Sequence, residues 1–152
     1  MPEHAKRASE SYTECIHIVF PEHLNGGKRV FGGTMASWID EAAAITARRH
    51  TRRNVFTVRI SELEFLAPAY ADDVLIMAGH VIYTGRTSLE VCVETFIERL
   101  NGTREEIGKA YLTFVATDEN GRPVQVPPLL VESDEEKRQW SEEEARRAAR
   151  TR

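Results

Sequence analysis

The residues from Asn25 to His50, NGGKRVFGGTMASWIDEAAAITARRH, set the terms for any fold this chain can adopt. A glycine-rich turn leads through Phe31-Gly32-Gly33 into an Ala-rich helical run that is apolar on nearly every face. A helix from about residue 33 to about residue 50 is therefore expected to be buried on most sides rather than laid on a surface. Inside it sit two adjacent carboxylates, Asp40 and Glu41. At helical contact spacing Asp40 has Ala36, Ser37, Ala43 and Ala44, and Glu41 has Ser37, Trp38, Ala44 and Ile45, so neither has a cation on its own helix. Such a carboxylate must find a donor on another element, face a water-containing cleft, or shift toward its neutral form. There are plainer readings: Asn25-Gly26 is a common turn dipeptide, and paired acids often mark where a helix leaves the core.

The remainder of the chain is strand-like. Residues 1–10 are polar and read as a loose arm. From Ser11 to Phe20 the apolar Ile16, Ile18 and Phe20 alternate with Cys15, His17 and Val19, a strand pattern that puts His17 on the solvent side and ends at Pro21. Gly27-Lys28 invites a P-loop reading, which fails because Glu22 and Arg29 stand where glycine and Ser/Thr are required. Arg48, Arg49 and His50 lie in the last helical turn, where the dipole favours cations.

After the turn TRRN, a strand from Val55 to Phe65 changes apolar parity, from Phe56, Val58 and Ile60 to Leu63 and Phe65, predicting one bulge near Ser61-Glu62. Further strands are expected over Val74–Tyr83, Ser88–Glu98 and Gly108–Ala116, the middle one with a dry face and a wet face of Glu90, Cys92, Glu94 and Glu98. The connections are too short for crossovers, so the strands pair antiparallel in an α+β domain spanning 11–130. A charged tail over 131–152, with a capping box at Ser133/Glu136 and one large anchor, Trp140, reads as a helix or a disordered segment.

A formal net charge of −4 with no basic concentration excludes a dedicated nucleic-acid binder. No apolar run approaches the roughly 18 residues of a membrane span, so a soluble, cytoplasmic protein without membrane contact is expected. Cys15 and Cys92 fit no metal-ligand spacing and read as reduced packing residues; no metal is expected.

A helix wrapped by a five-stranded antiparallel sheet describes the hot-dog fold. His23-Leu24-Asn25, Phe31-Gly32-Gly33 and Trp38-Ile39-Asp40-Glu41-Ala42 resemble the active-site signature of hot-dog acyl-CoA thioesterases. Thr57-Val58-Arg59-Ile60, Phe65-Leu66-Ala67-Pro68 and Thr84-Gly85-Arg86-Thr87-Ser88-Leu89-Glu90-Val91 resemble the small, single-domain YciA-like branch. One departure is Lys28, three residues after Asn25, where the family often has glycine.

The resemblance implies hydrolysis of acyl-coenzyme A to a carboxylic acid and free coenzyme A, with Asp40 as general base or nucleophile. It implies that Asn25 orients the water or the carbonyl from across a dimer interface. Helix-start N–H groups meet developing oxyanion charge, and Gly33 is the expected donor, with Gly32 beside it. Arg59, Arg86, Thr87 and Ser88 occupy family positions near the nucleotide and pantetheine arm, and Glu41 is a secondary candidate. No cofactor is implied, because coenzyme A belongs to the substrate. A homodimer at least, often a trimer of dimers, is implied as the assembly. Competing readings are a thioesterase for aromatic acyl-CoA or acyl carrier protein, and a non-catalytic acyl-CoA-binding module. A hydratase is disfavoured, because no histidine lies between Asn25 and Asp40.

Overall fold

The structure, a computed structural model, describes residues 4–150. Its elements are β1 (Lys6–Arg7), a short 3-10 turn (Ala8–Glu10), β2 (Thr13–Ile18), a second such turn (Pro21–His23), α1 (Gly32–Thr51), β3 (Asn54–Phe65), β4 (Val74–Thr84), β5 (Ser88–Glu98), β6 (Arg104–Thr117), β7 (Leu129–Leu130) and α2 (Asp134–Arg150). Five strands form one antiparallel sheet in the order β2-β4-β5-β6-β3, and β1 pairs with β7 in parallel. The expected helix and strands are all present, with the last strand four residues longer at its start. No helix among the described residues is long and apolar enough to cross a membrane. The cysteines are both free.

α1 lies across one face of the sheet. Met35, Ile39, Ala42, Ala43 and Ala47 pack with Leu75, Met77, Val81, Leu89, Val91, Val93, Leu112 and Phe114 in a single buried cluster. The small residues matter because they let the helix come close to the strands. At Gly79 in β4 an added Cβ would stand 2.4 Å from the Thr46 hydroxyl, so only glycine permits this approach. α1 is nevertheless exposed along Gly33, Ser37, Glu41, Ile45 and Arg48. The expectation of burial on most sides therefore fails for the isolated chain, because one sheet can cover only one face of a helix.

The two sheet edges depart from the expected parity. Cys15 and His17 pair with the core residues Met77 and Leu75 and therefore face α1, and the His17 ring stacks on Trp38 with centroids 4.4 Å apart. His17 is thus not a solvent-side residue. Ile16, Ile18 and Phe20 are the exposed set. On β3, Phe56 pairs with Val115 on the face away from α1, and Phe56 and Val58 are more than half exposed. The register shifts twice, between Thr57 and Arg59 and between Ser61 and Glu64. The second shift is the expected bulge, with Glu62 at φ 52°, and the first was not foreseen. It places Arg59 opposite Thr113 and returns Ile60 to the α1 side opposite Leu112.

The first ten residues and the tail are both built into the molecule where they are described. Lys6 reaches the end of α1, its Nζ donating to the carbonyls of His50 (2.8 Å) and Arg49 (3.3 Å), as the helix dipole favours. A loose arm is therefore not what residues 6–10 form. α2 packs on the sheet face opposite α1: Trp140 meets the Tyr83 ring at 4.2 Å, and the Arg146 and Arg147 guanidinium groups lie over Tyr111 and Tyr83. This corrects the expected wet face of β5, since Glu90 and Cys92 are fully buried under α2.

Under α2 the fully buried Glu143 accepts from Arg146 (2.8 Å), Arg147 (2.9 Å) and Arg150 (2.9 Å). Glu90 accepts from the Thr113 hydroxyl at 2.5 Å, with Arg147 at 3.7 Å, while its Oε1 has no hydrogen-bond partner. Burial pushes the Glu90 carboxyl up from 4.5 to about 7, and the nearby Glu143 adds to that rise. Between those two values the folded chain holds a proton that the unfolded chain has released, so stability falls as pH rises through that window. Glu90→Gln is expected to flatten this dependence, removing a fall on the order of 1–3 kcal/mol between about pH 5 and about pH 8. Thermal unfolding of both proteins at the two pH values measures it. An unchanged slope in the variant would show that Glu90 is not the titrating group.

Candidate active site

Asp40 sits two turns into α1, half-buried on the border of the exposed stripe. It has found a donor on another element: the Thr57 hydroxyl of β3 gives its proton to Asp40 Oδ1 at 2.7 Å. That bond fixes one carboxylate oxygen, Oδ1, from β3. Thr57 belongs to the motif Thr57-Val58-Arg59-Ile60, and the apolar alternation of Phe56 and Val58 around it carries no sign of this bond. Glu41 follows on the exposed stripe, turned away from this bond.

The start of α1 is the second feature. Its N-cap is Phe31, a residue that can offer no side-chain acceptor, and no acid stands in the first turn. The first bond of the helix runs from Met35 N–H to the Phe31 carbonyl at 3.1 Å. The N–H groups of Gly32, Gly33 and Thr34 therefore point out of the helix end without intrahelical acceptors, at the positive end of the dipole. A Cβ added at Gly33 would meet nothing within 4 Å, so nothing in this chain demands glycine there. The open space serves whatever approaches from outside.

Asn25 belongs to the same end of the molecule. Its Oδ1 accepts from the Gly27 N–H at 2.9 Å and the Arg29 N–H at 3.2 Å. Only an oxygen can answer two N–H donors, so the amide nitrogen points away as a free donor. The turn that holds it closes with Asn25 N–H on the Arg29 carbonyl (2.7 Å) and Lys28 N–H on the Asn25 carbonyl (3.0 Å). Lys28 takes φ 63°, the left-handed conformation that a glycine at this position would adopt more easily. Asn25 and Gly32 together line a cavity of about 330 Å³ walled by Val30, Met35, Phe65 and Leu66.

The structure brings Asn25, Gly32 and Gly33 together and sets Asp40 with Thr57 apart from them. Asp40 lies seven positions after Gly33, about 10 Å along the axis, and the free N–H groups point the other way. Arg59 stands on the opposite sheet face from Thr57, beside Thr113. Arg86 and Thr87 lie in the β4–β5 turn and Ser88 opens β5; the Thr87 carbonyl accepts from Ala116 N–H (3.0 Å) and the Ser88 hydroxyl accepts from Arg147 (3.3 Å). No group of three or more His, Cys, Asp or Glu residues among the described residues could hold a metal ion.

Residues 27–102 match the model of the Thioesterase superfamily. The chain is 40% identical over 119 residues to an uncharacterized acyl-CoA thioester hydrolase of Bacillus subtilis, covering 78% of this chain and 69% of that one. Among solved structures it is similar to an apo-hexameric acyl-CoA thioesterase, with a TM-score of 0.92, 35% identity and coverage of 98% of this chain and 96% of that one. It is also similar to an acyl-CoA hydrolase from Staphylococcus aureus in complex with butyryl coenzyme A, coenzyme A and coenzyme A disulfide. There the TM-score is 0.89 and the identity 37%, with 97% and 92% of the two chains covered. Other structures of that hydrolase carry alanine in place of an aspartate, an asparagine or a threonine, and those three residues have the same spacing along its chain as Asp40, Asn25 and Thr57 here.

Proposed function

Because the chain belongs to the Thioesterase superfamily, we propose that it hydrolyses acyl-coenzyme A to a carboxylic acid and free coenzyme A at a site shared between two copies of itself. The observation that carries this reading is the Asp40–Thr57 bond, which holds a half-buried carboxylate in place on an otherwise apolar helix. Asp40 takes a proton from the attacking water or attacks the thioester carbonyl itself. The charge that develops on the carbonyl oxygen is met by the Gly33 N–H at the uncapped start of α1, assisted by the Asn25 amide nitrogen. The glycine pair lets the carbonyl come close, and Val30, Met35 and Phe65 offer an apolar wall to the part of the substrate next to it. The thiolate of coenzyme A leaves readily, so the reaction needs no strong general acid, and no cofactor is required.

Two copies are needed because the helix-start donors point away from Asp40 of their own chain. β3 is an edge strand of twelve residues whose outer side is unpaired, and joining it to its own copy in antiparallel fashion removes that edge. Such pairing sets the Asn54 end of one β3 beside the Phe65 end of the other, and thus Asp40 of one protomer toward the helix start of its partner. The exposed apolar residues Ile16, Ile18, Phe56 and Val58 then suit burial between further copies, as in a trimer of dimers.

Release of free coenzyme A from short, medium, long and aromatic acyl-CoAs, followed chromatographically, tests the proposal. At least one thioester is expected to turn over. Tight binding of acyl-CoA without any release would leave a binding module in place of an enzyme.

A further inference from the structure

His23 stands two residues before Asn25 and takes no part in the chemistry assigned to Asp40, Gly33 and Asn25. It is nonetheless closely held. Its Nδ1 accepts from the Phe20 N–H at 2.9 Å, and its own N–H donates to the Phe20 carbonyl at 2.9 Å. Its carbonyl accepts from the Phe31 N–H at 3.0 Å, and its ring meets Trp38 in a T-shaped contact with centroids 4.9 Å apart. A backbone N–H donating to Nδ1 requires that nitrogen to be unprotonated, so the ring serves there as an acceptor. His17 makes the contrast. It stacks flat on the same indole at 4.4 Å, and its Nε2 is buried with no hydrogen-bond partner among the described residues. An apolar ring would fill the place of His17; only a side chain with an acceptor at the δ position can answer Phe20.

These contacts join three parts of the fold. Phe20 lies just after β2, Trp38 belongs to α1, and Phe31 is the N-cap of that helix. From His23 the chain runs extended through Leu24, at φ −94° and ψ 147°, and reaches Asn25 about 7 Å further on. Leu24 is bridged to Val30, and the Asn25 N–H is bonded to the Arg29 carbonyl. Fixed at one end and paired along its length, this segment has no slack, and a displacement of the His23 ring is passed on to the Asn25 amide.

We propose that His23 is a positioning residue for thioester hydrolysis, its imidazole clasping the turn after β2 to Trp38 and thereby setting the direction of the Asn25 amide nitrogen. The inference rests on the thioesterase reading and adds to it the side chain that aims one of its donors. The Nδ1 bond is exposed, so its loss costs the fold little, whereas a misplacement of about 1 Å at a reacting group can cost ~10²-fold in rate.

The test measures coenzyme A release by the full chain and its His23 variants, using the acyl-CoA that the wild type turns over best. His23→Ala is expected to lower kcat at least ~10-fold with KM changed less than ~3-fold. His23→Asn, whose Oδ1 can take the Phe20 N–H, is expected to stay within ~3-fold of wild type. Mixing then locates the effect. Under subunit exchange, His23→Ala with Asp40→Ala is expected to regain about a quarter of wild-type activity, because each mixed dimer holds one site with an undisturbed Asn25 and an intact Asp40. His23→Ala with Asn25→Ala is expected to rise no higher than the mean of the two parents, since both defects lie in the same half of each site. A His23→Ala chain within ~3-fold of wild type overturns the proposal. So does a loss that falls on KM, or a His23→Asn chain no better than His23→Ala, which would mark a packing role. Recovery with Asn25→Ala overturns it too, as does failure to recover with Asp40→Ala where Asn25→Ala and Asp40→Ala restore each other. If that last pair also fails, the shared site is lost and the double variant His23→Ala/Asn25→Ala decides: the inference requires it to be no slower than Asn25→Ala alone. A wild type that releases no coenzyme A from any thioester ends the thioesterase reading and this inference together.

Discussion

Asp40→Asn is expected to lower kcat/KM for the best acyl-CoA by ~10²–10⁴-fold, the span typical of losing a positioned general base. Asparagine is the sharper substitution, because its carbonyl oxygen can still accept from the Thr57 hydroxyl that now holds Asp40 Oδ1. Packing around α1 should then be kept while the proton acceptor or nucleophile is lost. The loss should fall on kcat, with coenzyme A affinity and assembly size little changed. The readout is chromatographic coenzyme A release, since the free Cys15 and Cys92 can themselves react with thiol reagents. A variant within about tenfold of wild type would remove Asp40 from the chemistry and turn attention to Glu41 on the exposed stripe.

The second large effect is a gain. Asn25→Ala and Asp40→Ala chains should each be nearly inactive alone, yet mixing them under conditions that exchange subunits should restore about a quarter of wild-type activity. The value follows from symmetry: random pairing makes about half the dimers mixed, and each mixed dimer has one intact site of its two. In the intact site Asn25 comes from one chain and Asp40 from the other. A single-chain site predicts no recovery, because no chain in the mixture carries both residues. Native mass spectrometry would establish that mixed dimers are present; activity no higher than the sum of the parents in such a sample would end the shared-site reading.

How much of this was legible in the sequence depends on how many faces each element presents. The long helix and the five antiparallel strands were readable, because their apolar periods are long and their connections short, whereas the order of the strands in the sheet was not. The edge strands misled, because Ile16, Ile18 and Phe56 look like core residues by pattern and are exposed in the single chain. Alternation reports that a strand has two different faces, and cannot report which face meets its own helix. The same ambiguity hid Thr57, a polar residue in an apolar alternation whose hydroxyl meets Asp40. The site residues carried a plainer signal, since a carboxylate with no cation at helical spacing has to be answered from another element.

The tail shows a different limit. Its charges at helical spacing indicated a helix, but nothing in the pattern indicated that Glu143 and Glu90 would both be fully buried against the sheet. Three arginines gather on Glu143 through a hydrogen-bond set that exists only once α2 is docked. Arg147 also reaches the Ser88 hydroxyl, so a residue expected near the substrate is in contact with the tail.

Gly79 gives the site its tolerance. The Thr46 hydroxyl rests where a methyl group at position 79 would be, and Thr46 and Asp40 ride on the same rigid rod. A single carbon placed there would act as a shim under one end of a beam, tilting α1 away from β4. Such a tilt would alter the gap between Asp40 and Thr57 without touching either. The aim of Asp40 is thus calibrated from the dry interior, by an atom that is missing.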